Sequence, residues 1–216
     1  MKIKVNIPTS LGDIKLSQYK KFLKIQENND DENFLQAKMI EIFCDIPLNS
    51  VMQLKYNDTN EIGSLLTKMF DGKPKLVERF KIKDIEYGFH PSLDDLSLGE
   101  YIDLDTYIGD WDNMERTMNV LYRPIEHKLK NKYSIKQYEV EGYKDVLDMP
   151  MDAVLSSIFF LWNLGLDLSK TMMNYLDKEQ TQALTQYLNS QPNGVGITQF
   201  TDLLKETLHD LKISLN

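Results

Sequence analysis

The chain has 216 residues, of which 42% are hydrophobic, and carries a net charge of −8 at pH 7. A chain of this size can bury a hydrophobic core as a globular protein without disulfides or metals, and its acidity argues against binding to a nucleic-acid backbone. Cys44 is the only cysteine, which excludes an intramolecular disulfide. Its apolar neighbours predict a buried packing thiol.

The amino-terminal part is predicted to begin with a strand and continue as helices. Alternation of apolar and polar residues indicates the strand, while capping residues and helical spacing of apolar residues indicate the helices. The predicted elements are a strand over 2–7 ended by Pro8, and helices over 17–26, from Asp30 or Asp31 to Pro47, over 49–54 and over 60–70.

The middle of the chain is predicted to contain a hairpin and two helices. The hairpin joins 76–82 to 85–89 through a Lys83-Asp84 turn. A helix capped by Ser97 is predicted to bury the stripe Leu98, Tyr101, Ile102, Leu104 and Ile108. A helix capped by Asp112 is predicted to bury Met114, Thr117, Met118 and Leu121 and to stop at Pro124.

The carboxyl-terminal part is predicted to be mostly helical. Its predicted elements are a third strand over 136–140, a long core helix over 150–176, helices over 179–188 and 197–211, and a loop over 190–194. The apolar run 153–168 inside the long helix is shorter than the roughly 20 residues that a spanning helix needs, so no membrane span is expected. The start of the chain also lacks the apolar region of a signal peptide.

These elements predict a mainly α fold with a minor β component, of the α+β class. We expect a helical core around a long central helix, with one small hairpin or sheet. The chain is expected to form one globular domain over 1–216, or a small amino-terminal subdomain over 1–72 beside a main helical domain over 84–216.

The excess negative charge lies in one stretch, 84–112, which contains no Lys or Arg. Its nine acidic residues are Asp84, Glu86, Asp94, Asp95, Glu100, Asp103, Asp105, Asp110 and Asp112. Aromatic residues alternate with these acids, a composition that favours docking of a partner. Lysine-rich segments flank the stretch at 73–83 and 128–136, where they are expected either to be solvated or to face an acidic neighbour across an interface.

The candidate partner interface combines these acids with residue types that often anchor interfaces. The candidates are Asp94, Asp95, Glu100, Asp103, Asp105, Trp111, Tyr122 and Arg123. Two alternatives stay open. Asp94 and Asp95 precede the Ser97 cap, where acids also serve helix-start electrostatics. Trp111 could equally be a plug in the core.

No catalytic, metal or cofactor site is predicted. The acidic pairs lack the ligand spacing of a calcium loop, and His90, His127 and His209 are scattered without a catalytic or zinc partner. Gly194-Val195-Gly196 lacks the third glycine of a dinucleotide fingerprint. The expectation is therefore a protein that is not an enzyme and binds no cofactor.

Three segments resemble a pattern found in tailed-bacteriophage proteins. They are GFHPSLDDLSLGEYIDL at 88–104, Trp111 with MNVLYRPI at 118–125, and MPM at 149–151 leading into IFFLWNLG at 158–165. The proteins that these segments resemble are uncharacterised virion or assembly proteins of crAss-like phages and related phages. The resemblance covers less than half of the chain and assigns no functional residues.

The resemblance implies a non-enzymatic structural protein of the virion, in the portal and tail region or as packaged cargo. Its expected partners are portal, tail or ring proteins, with several copies per particle, assembly in the host bacterial cytoplasm, and no direct nucleic-acid readout. One alternative is a tail-assembly chaperone that is absent from the mature particle. Another is a small phage enzyme or a host-takeover inhibitor.

Overall fold

The computed structural model describes residues 5–72, 74–130 and 132–175. It is mainly helical with one antiparallel sheet, which confirms the α+β prediction. The helices are α1 (Leu16–Gln26), α2 (Glu32–Phe43), α3 (Leu48–Val51), α4 (Tyr56–Lys68), α5 (Leu98–Tyr107), α6 (Met114–Leu121) and α7 (Met151–Tyr175). The strands are β1 (Arg79–Ile82), β2 (Ile85–Phe89), β3 (Tyr122–Leu129) and β4 (Lys132–Ile135).

The amino-terminal helices begin close to where their capping signals predict. The side chain of Asp31 accepts hydrogen bonds from the backbone of Asn33 and Phe34, which fixes the start of α2. The predicted strand over 2–7 is wrong where it can be checked, because residues 5–8 form no strand. A strand needs a neighbour, and in the described part of this region the backbone pairs only at Lys15 and Pro150.

The sheet has the strand order β1-β2-β3-β4. The predicted hairpin is confirmed, since Ile82 pairs with Ile85 around the two-residue loop. β3 was not predicted: α6 ends at Leu121 and the chain enters β3 at the next residue, so that Pro124 lies inside a strand. The third predicted strand, over 136–140, is wrong because β4 ends at Ile135.

The buried side chains form one cluster that joins the amino-terminal helices to the sheet and to α7. Leu16, Leu66, Met118, Tyr122 and Met151 are members from different elements. The backbone N–H of Leu16 donates to the Met149 carbonyl at 2.9 Å, and that of Met151 donates to the Ile14 carbonyl at 2.8 Å. These bonds hold the start of α1 against the start of α7.

Burial decreases along α7 over residues 151–165. Met151, Val154 and Ser157 are buried, whereas Asn163 and Leu164 are exposed. A long central helix is therefore not shown. The sheet contacts α7 within these residues, where the ring of Phe160 packs against that of Phe89. The predicted end of this helix at Leu176, and the elements predicted over 179–211, lie outside the described residues.

No helix among the described residues is long and apolar enough to cross a membrane.

Candidate functional site

The acidic stretch is organised around the buried carboxylate of Glu100. Ser97 caps α5, and its backbone N–H donates to Glu100 Oε2 at 2.7 Å while the Glu100 N–H donates to Ser97 Oγ at 3.4 Å. The other carboxylate oxygen accepts from Arg123 Nη1 at the start of β3. This capping box and ion pair turn Glu100 inward and tie α5 to the sheet.

Burial and pairing act in opposite directions on the Glu100 carboxyl. Burial raises its pKa, but the hydrogen bonds from Ser97 and the pairing with Arg123 together lower the pKa by more. The pKa of Glu100 therefore lies below its ordinary value. Glu100 is therefore ionised at neutral pH, which matches the fixed positive charge of Arg123.

His90 lies beside the same carboxylate but does not form a hydrogen bond with it. Its Nε2 is 3.7 Å from Glu100 Oε1, and its Nδ1 accepts from the backbone N–H of Ser92 at 3.3 Å. Burial, followed by the charge of Arg123, lowers the pKa of His90. His90 is thus neutral at pH 7, with the hydrogen-bond pattern placing its proton on Nε2.

Tyr138 closes the other side of the ion pair. Its ring centre is 5.7 Å from the guanidinium carbon of Arg123, in cation–π range, and its hydroxyl donates to Asp103. Burial, and then the bond to Asp103, raise the pKa of Tyr138. Sequence reasoning missed His90 and Tyr138, because contacts between distant segments leave no local signal.

This buried cluster has no accessible reactive group. His90, Glu100 and Arg123 are all buried, and each charged group already faces an opposite charge. The arrangement can hold α5 in one orientation, but it presents no nucleophile or base to a substrate. Two predicted interface residues, Glu100 and Arg123, therefore support the surface from inside.

The outer side of α5 is an exposed apolar face. Leu98, Tyr101 and Ile102 are 75%, 58% and 50% exposed. The prediction that these three residues are buried is wrong, because Arg123 draws Glu100 inward and so turns them outward. Together with the exposed Asp105, at spacing i, i+3, i+4 and i+7, they form what we call the α5 face.

The acids of this region differ in their partners. Glu86 pairs with Lys128 at 3.1 Å and Asp112 with Lys24 at 3.1 Å. By contrast, no Lys or Arg within residues 5–72, 74–130 and 132–175 forms an ion pair with the exposed Asp94, Asp95 or Asp105. Asp94, Asp95 and Asp105 therefore contribute exposed, unpaired negative charge beside or on the α5 face.

Two predicted interface residues are not on this surface. Tyr122 is wholly buried, and its hydroxyl donates to the Val77 carbonyl at 2.8 Å. Trp111 is half-buried, with its ring centre 5.0 Å from that of Tyr19 on α1, and it packs against the core. The core-plug interpretation fits Trp111, because its large ring fills the gap between α1 and the start of α6.

A second concave region lies between α1, α2 and α4. It is a cleft of about 800 Å³ with aromatic lining from Tyr19, Phe22, Phe43 and Phe70. Its charged lining residues, Glu32 and Lys68, are exposed. The lining also contains neutral polar side chains, so the cleft combines apolar contact with amide and hydroxyl groups. They are Gln26, Asn33, Gln36, Asn60, Ser64 and Thr67.

The described residues contain no group of three or more His, Cys, Asp or Glu side chains that could hold a metal ion. Comparisons with protein-family models, with curated proteins and with solved structures found no significant match.

Proposed function

We propose that this protein is a non-enzymatic structural component of a bacteriophage virion, in the portal and tail region or as packaged cargo, and that it acts through protein–protein contacts. The observation that carries the proposal is the α5 face, an exposed apolar helix surface that includes Asp105 and follows Asp94 and Asp95 in the chain. These three acids have no ion-pair partner in the described chain. Exposed apolar surface with a polar rim is typical of contact surfaces. The resemblance of 88–104 and 118–125 to phage virion proteins supports the same function.

The rigid mounting of α5 supports this function as well. The helix is held through Ser97, Glu100 and Arg123, so its backbone needs little ordering when a partner binds. A preorganised surface loses less conformational entropy on association than a mobile loop does. Assembly in several copies in the host cytoplasm is part of the proposal.

The first test is mass spectrometry of purified particles of the phage that encodes the chain. A structural protein should be recovered in constant ratio to the portal and tail proteins after the particles are purified through a density gradient. Recovery only from infected-cell lysate would support the rival function, a tail-assembly chaperone.

The second test asks whether the α5 face drives incorporation. Ile102→Asp places a charge in the apolar face, and we expect its incorporation into particles to fall at least about tenfold. Met52→Asp is the matched control, because Met52 is also exposed, at 72%, but lies at the end of α3 and is not part of the α5 face. Equal incorporation of both variants would remove the α5 face from the proposal, provided that circular dichroism shows both to be folded.

A further inference from the structure

The tip of the β3–β4 hairpin has the positive charge that the α5 face lacks. Leu129 is 77% exposed and pairs across the hairpin with Lys132. Lys128, Lys130 and Lys132 surround it and are exposed. We call Lys128, Leu129, Lys130 and Lys132 the basic tip. It is an apolar side chain among positive charges, whereas the α5 face is apolar with the negative charge of Asp105 on it and those of Asp94 and Asp95 just before it in the chain.

The basic tip projects beyond the rest of the sheet. β2 pairs with β3 only from Tyr122 to Pro124, and from Ile125 onward β3 pairs with β4. The end of the hairpin is thus a two-stranded ribbon whose residues 126–130 are all exposed. An isolated ribbon of this kind is marginally stable in water, and contact with a second surface would stabilise it.

Most charges on the two surfaces lack internal partners. In the described chain, only Lys128 of the basic tip forms an ion pair, with Glu86, while Lys130 and Lys132 form none. Asp94, Asp95 and Asp105 are likewise without an ion pair there. Opposite fields of this kind raise the rate of encounter and fix the register of a contact.

No ion pair joins the basic tip to the α5 face within the described chain. Arg123 fixes the start of β3 against α5, and Leu129 lies six residues further along the strand, about 20 Å away at about 3.3 Å per residue. A contact between the two surfaces would therefore join different molecules. We propose that the basic tip of one copy docks on the α5 face of the next copy.

Such a contact is heterologous, because two different surfaces of the same protein meet. Repetition of a heterologous contact generates a closed ring or an open filament. One helix face and one hairpin end are smaller than the roughly 800 Å² per partner of a standard interface. We therefore expect a weak, concentration-dependent association that becomes stable when many copies close into a ring. This inference rests on the proposed function and names its partner.

The test is sedimentation velocity on the full chain over a wide concentration range, at about 50 mM and about 500 mM salt, since salt screens exposed charges. We expect the wild type to associate, and more strongly at low salt. Ile102→Asp and Leu129→Asp should each weaken association at least about tenfold, whereas Met52→Asp should not. Circular dichroism checks that every variant is folded.

Mixing the two defective variants distinguishes this contact from a symmetric one. Ile102→Asp keeps an intact basic tip and Leu129→Asp keeps an intact α5 face, so an equimolar mixture should form one-to-one dimers and nothing larger. A symmetric contact through the α5 face would give no such dimer. As a charge test, Asp105→Lys should weaken association, and adding Lys132→Glu in the same chain should restore it.

Several results would overturn the inference. These are a wild type that stays monomeric at every concentration, a Leu129→Asp variant that associates like the wild type, or no dimer in the mixture. If Leu129→Asp still enters particles while Ile102→Asp does not, the α5 face binds a different virion protein. The inference then fails and the proposed function stands.

Discussion

Arg123, the second residue of β3, donates to the carboxylate of Glu100, the third residue of α5, in a buried contact that fixes the helix on the sheet. The hydrogen bonding of the guanidinium is incomplete, because Arg123 Nε is buried and has no hydrogen-bond partner among the described residues. The arginine thus depends on one carboxylate and on the ring of Tyr138.

Removing the Glu100 carboxylate alone should be strongly destabilising. We expect Glu100→Ala to lower the free energy of unfolding by about 3–5 kcal/mol, because it leaves the charge of Arg123 buried and unpaired. Urea denaturation measures this. The double variant Glu100→Leu, Arg123→Met should be more stable than Glu100→Ala, and Asp105→Asn should change stability by less than about 0.5 kcal/mol. A Glu100→Ala protein as stable as the wild type would mean that the pair contributes nothing.

Gly88 in β2 is covered by the ring of Tyr133, whose hydroxyl donates to the Phe89 carbonyl at 2.8 Å. A Cβ at residue 88 would lie 2.4 Å from Tyr133 Cε2, so the ring would have to move. We expect Gly88→Ala to cost about 1–3 kcal/mol in the free energy of unfolding. Gly99→Ala is the matched control: nothing lies within 4 Å of its Cβ position, and alanine favours the helix, so stability should rise by up to about 1 kcal/mol. Equal effects of the two substitutions would contradict the packing argument.

The fold was predictable from sequence where the signals are local. Asp31 and Ser97 cap their helices as predicted, and Met114 and Met118 are buried on α6 as their spacing indicates. β3 was missed because its existence depends on pairing with β2 and β4, whereas Pro124 indicates locally only the end of a helix. Strand formation here is decided by distant partners, and a single sequence does not contain that information.

The candidate site was predicted in part. The acidic stretch and Arg123 were singled out, but the orientation of α5 was wrong. Hydrophobicity predicts that Leu98 and Ile102 face the core, yet the ion pair between Glu100 and Arg123, 23 residues apart, turns the helix the other way. A buried charge becomes favourable only when its partner is known, so periodicity alone gives the opposite face.

Thr117 in α6 is wholly buried, and its hydroxyl has no hydrogen-bond partner among the described residues. A buried hydroxyl without a hydrogen-bond partner destabilises the folded state, because no hydrogen bond offsets the free-energy cost of removing it from water. We expect Thr117→Val, which exchanges the hydroxyl for a methyl group of similar size, to raise the free energy of unfolding by about 1 kcal/mol in urea denaturation. Ser157→Ala is the contrast, because Ser157 Oγ donates to the Val154 carbonyl at 2.9 Å. A loss of stability in Thr117→Val would indicate that the hydroxyl is bonded.

The stability of the protein should fall on mild acidification because of His90. Its pKa in the folded protein is lowered from 6.5 by burial and by the charge of Arg123, against smaller opposing effects of Glu100 and Asp95. The unfolded chain therefore binds more protons below about pH 6.5, and the contribution of His90 to stability is complete above this pH and is lost as the pH falls toward the folded pKa. The contribution of Glu100 to stability is lost at lower pH, below its ordinary pKa of 4.5, because its pKa in the folded protein is lowered.

Urea denaturation of the wild type and of His90→Asn at a series of pH values between about 7 and 5 isolates this effect. We expect the free energy of unfolding of the wild type to decline across the series, and that of His90→Asn to decline less. His127→Gln is the control for replacing an imidazole, because His127 is exposed on β3 and lies outside the buried cluster. If His90→Asn and the wild type lose stability in parallel, the acid sensitivity arises from other groups, and His90 is not held neutral beside the ion pair of Glu100 and Arg123.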